Sequence, residues 1–442
     1  MRWLHACVCI FLLAVSGIPS PSWGKGAGSY EDPYWESLYK YEKYVSGFEN
    51  ETYGYHPGQG YPMYLFNFGF MYYELYRHTG EGVHLFKFLR CAAYAEAIRN
   101  PDWTWNFWNS SWRSILFNWQ GVELFIDAYY VTADQKYLSW AEDTAYGILN
   151  TSDYGLRVGA YNGHFLGASA IAYYAHVTGD MNPILLNAGR DELAFSLTGY
   201  DPATGKWYYS TSTKSAGVFD GRAAYYGFGV IGVFLYWEEA FKSVYPEEYA
   251  YLLIESPKII HHGRAYLLPS CTWWYTSEVP DYTEGAADAV VGFYLAQRRY
   301  GEDYSDIVSC AMNTILSRQA PNGGYYKTSN TTEVDIWYTD NIGVSITWYL
   351  NRISTPLEKA RGFTYIFTGA HLSPSAPPLM EKIIEHKVIL LANSCGLPPE
   401  KKGYTTLHGS KVSWMISRWV KPEFRMFFIN LASEVCPQIS II

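Results

Sequence analysis

The stretch TWWYTSEVPDYTEGAAD, residues 272–288, sets four acids beside an aromatic cluster, directly ahead of an apolar run rich in small residues. Glu284 and Asp288 are four residues apart and therefore share one face of a helix. The pattern returns in WYTDNIG, where Tyr-Thr is again followed by an acid, Asp340. Two carboxyls held together can protonate a leaving oxygen and activate a water. In inverting glycoside hydrolysis such a pair stands roughly 6.5–9.5 Å apart. Packed helix axes lie about 8–10 Å apart, so Glu284 and Asp340 on neighbouring helices would suit that chemistry. Capping competes with this explanation. A first-turn acid is favoured in any helix, and Thr283 and Thr339 are natural N-caps. Asp288 escapes the capping account, because it sits a turn inside an apolar helix where a lone carboxylate is costly unless paired.

The elements that position these acids emerge from an internal repeat. Five segments share one layout, among them FNWQGVELFIDAYYVTADQKYLSWAEDTAYGIL and EGAADAVVGFYLAQRRYGEDYSDIVSCAMNTIL. Each reads as a nearly uncharged helix, a turn centred near Gly80, Ala133, Gly179, Tyr245 or Gly301, and a second helix with one polar face. DNIGVSITWYLNRIS adds a sixth uncharged helix, and DPYWESLYKYEKYVSGFE near the start supplies the missing charged partner. Pairing these two closes a ring in which the uncharged helices form the inner layer. The loops between pairs carry turn residues and short β-prone aromatic stretches, and all lead into inner-helix N-termini. They should gather at one end of the ring.

This layout resembles the six-hairpin glycosidase superfamily, over roughly residues 34–354. The resemblance implies an all-α fold, an (α/α)6 toroid with short β-hairpins in the inter-pair loops, and a substrate groove at the loop end. Terpenoid cyclases share a similar toroid, but neither a DDxxD run nor an Asp-x-Asp-Asp motif is present.

At the aligned inner-helix starts the candidate catalytic residues are Glu284, Asp340 and Asp288. The candidate substrate contacts are Trp105, Trp119, His164, Asp220, Arg222, Tyr226, Trp274, Tyr282, Trp337 and Tyr338. Aromatic faces suit sugar rings, and the chain is 18% aromatic with 42 Tyr and 17 Trp. Each ring can equally fill the core of a wide toroid. His164 can equally be a hydrogen-bonded structural residue, and Asp220 with Arg222 a surface ion pair. Glu123 resembles Asp288 as an acid inside an apolar run, and His56 and Gln59 stand on a turn-rich approach to the first inner helix.

These residues point to a carbohydrate-active enzyme, foremost a glycoside hydrolase. Two alternatives stay open. One is a uronate lyase or epimerase, with Tyr226, Tyr282 or His164 taking a proton and Arg222 neutralising the uronate. The other is a toroid that binds carbohydrate without catalysis. A net charge of −9 disfavours nucleic-acid partners. HExxH, GxSxG and P-loop motifs are absent, and the His261–His262 pair cannot put both rings on one face, so no metal or cofactor is expected.

Residues 1–24 read as an export signal, with Arg2, a short apolar run and a Ser/Pro/Gly-rich stretch. No later run spans a bilayer, so a secreted or periplasmic protein is expected. Signal removal leaves five cysteines, an odd number, so at least one is unpaired within the chain. The toroid should occupy residues 25–354. Residues 355–442 differ in composition, with ten Lys/Arg against six Asp/Glu, and read as an appendage or a tail.

Overall fold

The computed structural model describes residues 32–437, apart from 51–53, 56–61, 108–109, 155–159, 211–213, 215–219, 275–280, 337–338, 396 and 398–401. The expected export signal therefore lies outside the described residues, as do His56, Gln59, Trp337 and Tyr338.

Helix formation follows the hydrophobic pattern closely. Six inner helices, α2 (Pro62–Thr79), α4 (Ile115–Thr132), α6 (Tyr161–Thr178), α8 (Asp220–Tyr236), α11 (Thr283–Tyr300) and α13 (Ile342–Ile353), pack in sequence, and α13 returns to α2 to close the ring. Around them lie α1 (Pro33–Ser46), α3 (Gly82–Ile98), α5 (Gln135–Gly147), α7 (Pro183–Leu197), the broken pair α9 (Glu238–Val244) and α10 (Pro246–Ala265), and α12 (Ser305–Ser317). The closure by α1 and α13 is as the unpaired sequence segments require. Turns of one kind end three inner helices: Ala133, Gly179 and Gly301 all take a left-handed backbone and donate back to the last turn. The fourth pair departs from the expected layout. Its inner helix ends at Tyr236 rather than near Tyr245, and Pro246 restarts the outer layer as a second helix.

The inter-pair loops contribute two antiparallel hairpins of two-residue strands, β1 (Glu49–Asn50) with β2 (Gly54–Tyr55) and β3 (Tyr200–Asp201) with β4 (Lys206–Trp207). The Cys271–Cys310 disulfide ties the loop ahead of α11 to α12, while Cys91 is a buried free thiol.

Residues 355–437 are neither extended nor detached. They form α14 (Pro356–Ile366), α15 (Met380–Ser394), α16 (Lys402–Trp419) and α17 (Pro422–Val435), with Cys395–Cys436 joining the ends of α15 and α17. This group covers the ring at the C-terminal ends of α2 and α4. Tyr76 donates to the Tyr365 carbonyl at 2.8 Å, His371 Nε2 donates to the Tyr130 carbonyl at 2.8 Å, and the Tyr130 and Phe427 rings stack at 3.9 Å. No helix among the described residues is long and apolar enough to cross a membrane.

Candidate active site

All six inner helices run in the same direction, so their N-termini share the loop end of the ring. A cavity of about 460 Å³ opens between them. On α4 its wall is the stripe Leu116, Trp119, Gln120, Glu123 and Asp127, the spacing of one helical face. From Leu116 to Asp127 the wall descends about 16 Å at the helical rise. The cavity is a deep well along the ring axis.

The four acids of the opening stretch meet different fates. Asp281 adopts a left-handed backbone at φ 59°. Its carboxylate accepts from Thr272 Oγ1 at 2.6 Å and from Ser270 and Arg318. Burial raises its pKa, but the bonds from Arg318, Ser270 and Thr272 outweigh burial and hold it below the ordinary value. Asp281 is an ionised structural latch. Glu278 lies outside the described residues. Glu284 and Asp288 both line the well. Burial first, and then the charges of Asp288 and Asp340, push Glu284 well above the usual carboxylate range. Its Oε2 accepts from the Tyr282 hydroxyl. Burial pushes Asp288 up to about 7, moderated by a bond to Tyr225. Asp288 also accepts from Asn341 Nδ2 at 3.3 Å.

Neither threonine caps as expected. Thr283 Oγ1 donates to the Tyr326 and Lys327 carbonyls at 2.6 and 2.8 Å, and Thr339 Oγ1 donates to the Asp335 carbonyl at 2.8 Å. Helices α11 and α13 begin without a side-chain cap. Glu284 does stand in the first turn of α11, where the helix N-terminus favours an acid, but it also lines the well.

Asp340 stands differently from its expected counterpart. It precedes α13 by two residues and is 1% exposed. Its Oδ2 accepts from Asn67 Nδ2 at 2.8 Å, and Asn67 Oδ1 in turn accepts from Gln120 Nε2 at 3.0 Å. Asn67 and Gln120 face the well, so Asp340 lies behind that wall. Burial raises its pKa to about 8, with the Asn67 bond pulling the other way. A carboxyl that binds its proton more tightly when folded makes stability fall as pH rises from about 4 to about 8. Asp340→Asn keeps an acceptor for Asn67 and removes the ionisation. We expect the melting temperature of this variant to match the parent at about pH 4 and to exceed it by about 2 °C or more at about pH 9. Thermal unfolding at the two pH values checks this, and an unchanged difference between them would refute it.

The other expected contacts divide. Trp119, Tyr226 and Tyr282 line the well. Arg222 stacks its guanidinium 4.3 Å from the Tyr209 ring centre and 5.6 Å from that of Tyr226, both wall residues. Trp105 does not offer a face to a ligand. It is 1% exposed, donates to the Ala95 carbonyl at 3.0 Å and fills the space over Gly121, where an added Cβ would lie 2.8 Å from its ring. His164 is likewise core, 1% exposed, with Nδ1 bonded to Glu192 on the outer helix α7. Trp274 is half-buried and off the well wall, and Asp220 begins α8 with its side chain outside the described set.

Sequence reasoning passed over the lower wall. There Glu74, Asp127, Tyr236, Trp237 and Trp348 join Glu123. Burial raises Glu123 to about 8, and burial with the charges of Glu123 and Glu74 raises Asp127 well above its ordinary value. Glu74 is the exception. Burial opposes its ionisation, but Arg77, Arg352 and Asn351 hold it below the usual value.

No family model and no curated protein matches this sequence. Solved structures do. A sugar epimerase from a ruminal bacterium is 13% identical, with 73% of this chain and 99% of that chain covered and a TM-score of 0.55. The fold is the six-hairpin glycosidase-like (α/α)6 toroid. A GH76 α-mannanase from Bacteroides thetaiotaomicron superposes on the toroid at 11% identity, 72% and 95% coverage and a TM-score of 0.52. A possible GH105 member from Salmonella enterica does so at 15%, 72% and 94%, and 0.51. At these identities the likeness is one of fold.

Proposed function

We propose that this toroid is a glycoside hydrolase acting on an oligo- or polysaccharide, with Glu284 as general acid and Asp288 as its carboxylate partner. The observation carrying this reading is the pair itself: two acids a turn apart on α11, both lining the well, both with proton affinities pushed upward by burial. Paired carboxyls with separated pKa values are how one site holds an acid and a base at one pH. Glu284, pushed upward by burial and by its acidic neighbours and accepting from Tyr282, keeps its proton for the leaving oxygen. Asp288, titrating near 7 and accepting from Asn341, is the group that ionises. It then activates water or attacks the sugar directly. Trp119, Tyr225, Tyr226 and Trp237 supply the flat faces that sugar rings stack on. The charge of Asp340 adds to the upward push on Glu284.

The known proteins sharing the fold are described as an epimerase, an α-mannanase and a possible GH105 member, which favours a carbohydrate substrate. A uronate lyase or epimerase is less well supported. His164 is buried against Glu192, and no Lys, Arg or His lines the well among the described residues. The amino-terminal segment and the two disulfides support an extracytoplasmic location. The test is a glycan panel read three ways. Hydrolysis yields new reducing ends alone, elimination yields an ultraviolet-absorbing double bond, and epimerisation changes the sugar without new ends. Products of the second or third kind would overturn the assignment.

A further inference from the structure

Tyr282, whose hydroxyl donates to Glu284 Oε2, stands at the entry to α11 and is buried. Its neighbours in the chain decide where it sits. Asp281, just before it, holds a left-handed backbone at φ 59°, a conformation costly for a residue other than glycine and better tolerated by Asp than by most. Thr283, just after it, donates to the Tyr326 and Lys327 carbonyls. One side chain grips both neighbours. Arg318 Nη1 donates to the Asp281 carbonyl at 2.8 Å and to Thr283 Oγ1 at 3.0 Å, while its Nη2 donates to the Asp281 carboxylate. Arg318 is 5% exposed and directly follows α12. Its own carbonyl accepts from the Tyr326 amide at 2.9 Å, so the segment that receives Thr283 is fastened to Arg318 as well. The guanidinium touches the residues on either side of Tyr282 and does not itself line the well.

We infer that Arg318, paired with Asp281, is a positioning residue that fixes Tyr282 so that the tyrosine hydroxyl stays on Glu284 Oε2 and the proton of the neutral carboxyl is placed on Oε1. This rests on the reading of Glu284 as general acid. Two features carry it beyond support of the fold. The planar fork reaches the Asp281 carboxylate with one nitrogen and the two flanking oxygens with another, an arrangement that a lysine ammonium cannot reproduce. The loop, moreover, is attached to the ring without Arg318. The Cys271–Cys310 disulfide ties it to α12, Thr314 Oγ1 donates to the Ser270 carbonyl at 2.7 Å, and Trp273 Nε1 donates to the Gly263 carbonyl at 2.7 Å. A buried ion pair adds little net stability over apolar packing. What this one contributes is the setting of a single turn. Without it the Glu284 carboxyl is free to rotate and to carry its proton on either oxygen.

The experiment compares Tyr282→Phe, Arg318→Leu, Arg318→Lys and Asp281→Asn in the full chain, each shown by thermal unfolding to be folded at the assay temperature. Two readouts are taken at about pH 7, where Glu284 is protonated. One is the rate on the best substrate of the glycan panel. The other is the infrared carbonyl stretch of Glu284, isolated in each background by subtracting the same protein carrying Glu284→Gln. In Tyr282→Phe the carbonyl loses its donated bond, so the stretch should move to higher frequency. Its kcat should fall about ten- to a hundredfold, with KM within a few-fold of the parent. Arg318→Leu should move both readouts the same way, Asp281→Asn less far, and Arg318→Lys should recover at most part of the loss. Adding Arg318→Leu to Tyr282→Phe should change neither readout further, because both act through one bond. A stretch that matches the parent in Arg318→Leu, or in Asp281→Asn where the Leu form does not fold, would overturn the positioning role and leave the hydrolase reading standing. A stretch that moves while kcat does not, or losses that add in the double variant, would also overturn it. Unchanged turnover in Glu284→Gln itself would remove the acid, and the positioning role with it.

Discussion

Glu284→Gln lowers turnover at least about a hundredfold while leaving sugar affinity within a few-fold of the parent. General acid catalysis contributes on the order of 10²–10⁴ to rate, and Gln keeps the shape and the Tyr282 partner but cannot give up a proton. The pH profile should move in a diagnostic way. In the parent, activity needs Glu284 protonated and Asp288 ionised. Asp288 titrates near 7, so activity falls as pH drops below that value. Burial and the neighbouring acids push Glu284 well above the usual carboxylate range, and the alkaline limb reports its loss of a proton. In the Gln variant the alkaline limb should vanish from the residual rate, while the acid limb stays. Rates measured across pH on the best substrate of the panel check this. An alkaline limb unchanged in Glu284→Gln would assign that limb, and the acid role, elsewhere.

The second large effect lies in the lower wall of the well. Arg352→Leu should destabilise the fold by about 3 kcal/mol, because it leaves Glu74 buried with one guanidinium instead of two. Glu74 is 3% exposed and sits where α2, α13 and, through Arg77, α17 meet, so the loss falls on ring closure. Its carboxyl is held below the ordinary value when folded. The stability it contributes is therefore present above about pH 4.5 and fades as pH drops through the folded pKa. The variant's deficit should accordingly be largest near neutrality and shrink in acid. Urea unfolding at both pH values measures this. A neutral effect at pH 7 would mean that Arg77 and Asn351 alone satisfy Glu74.

The ring was legible in the sequence because inner helices must avoid charge, and that avoidance is visible residue by residue. Asp288 was legible for the same reason, since an acid inside a small-residue apolar helix has no ordinary explanation. The same signal marked Asp127 in FIDAYY and Glu74 in YYELY. They went unread because they lie far from the inner-helix starts, where a groove was expected, and the depth of the well is a property of six helices at once. Trp105 and His164 show the opposite failure. An aromatic in a loop and a histidine opening a helix look available until Gly121 and Glu192, distant in sequence, are placed against them. Asp340 aligned with Glu284 by motif, yet α13 starts later than α11 relative to that motif, which carries Asp340 behind Asn67. A repeat aligned by sequence does not transmit a shift of helix start.

The pairing of Glu284 with Asp288 is the claim on which the rest depends, and Asp288→Asn tests it most directly. Reducing-end release and binding should be measured on one neutral oligosaccharide, near pH 7, for the parent and the variant. The account predicts binding within a few-fold and release slowed at least about a hundredfold. Sugar that is bound and cleaved equally well by both proteins would contradict it.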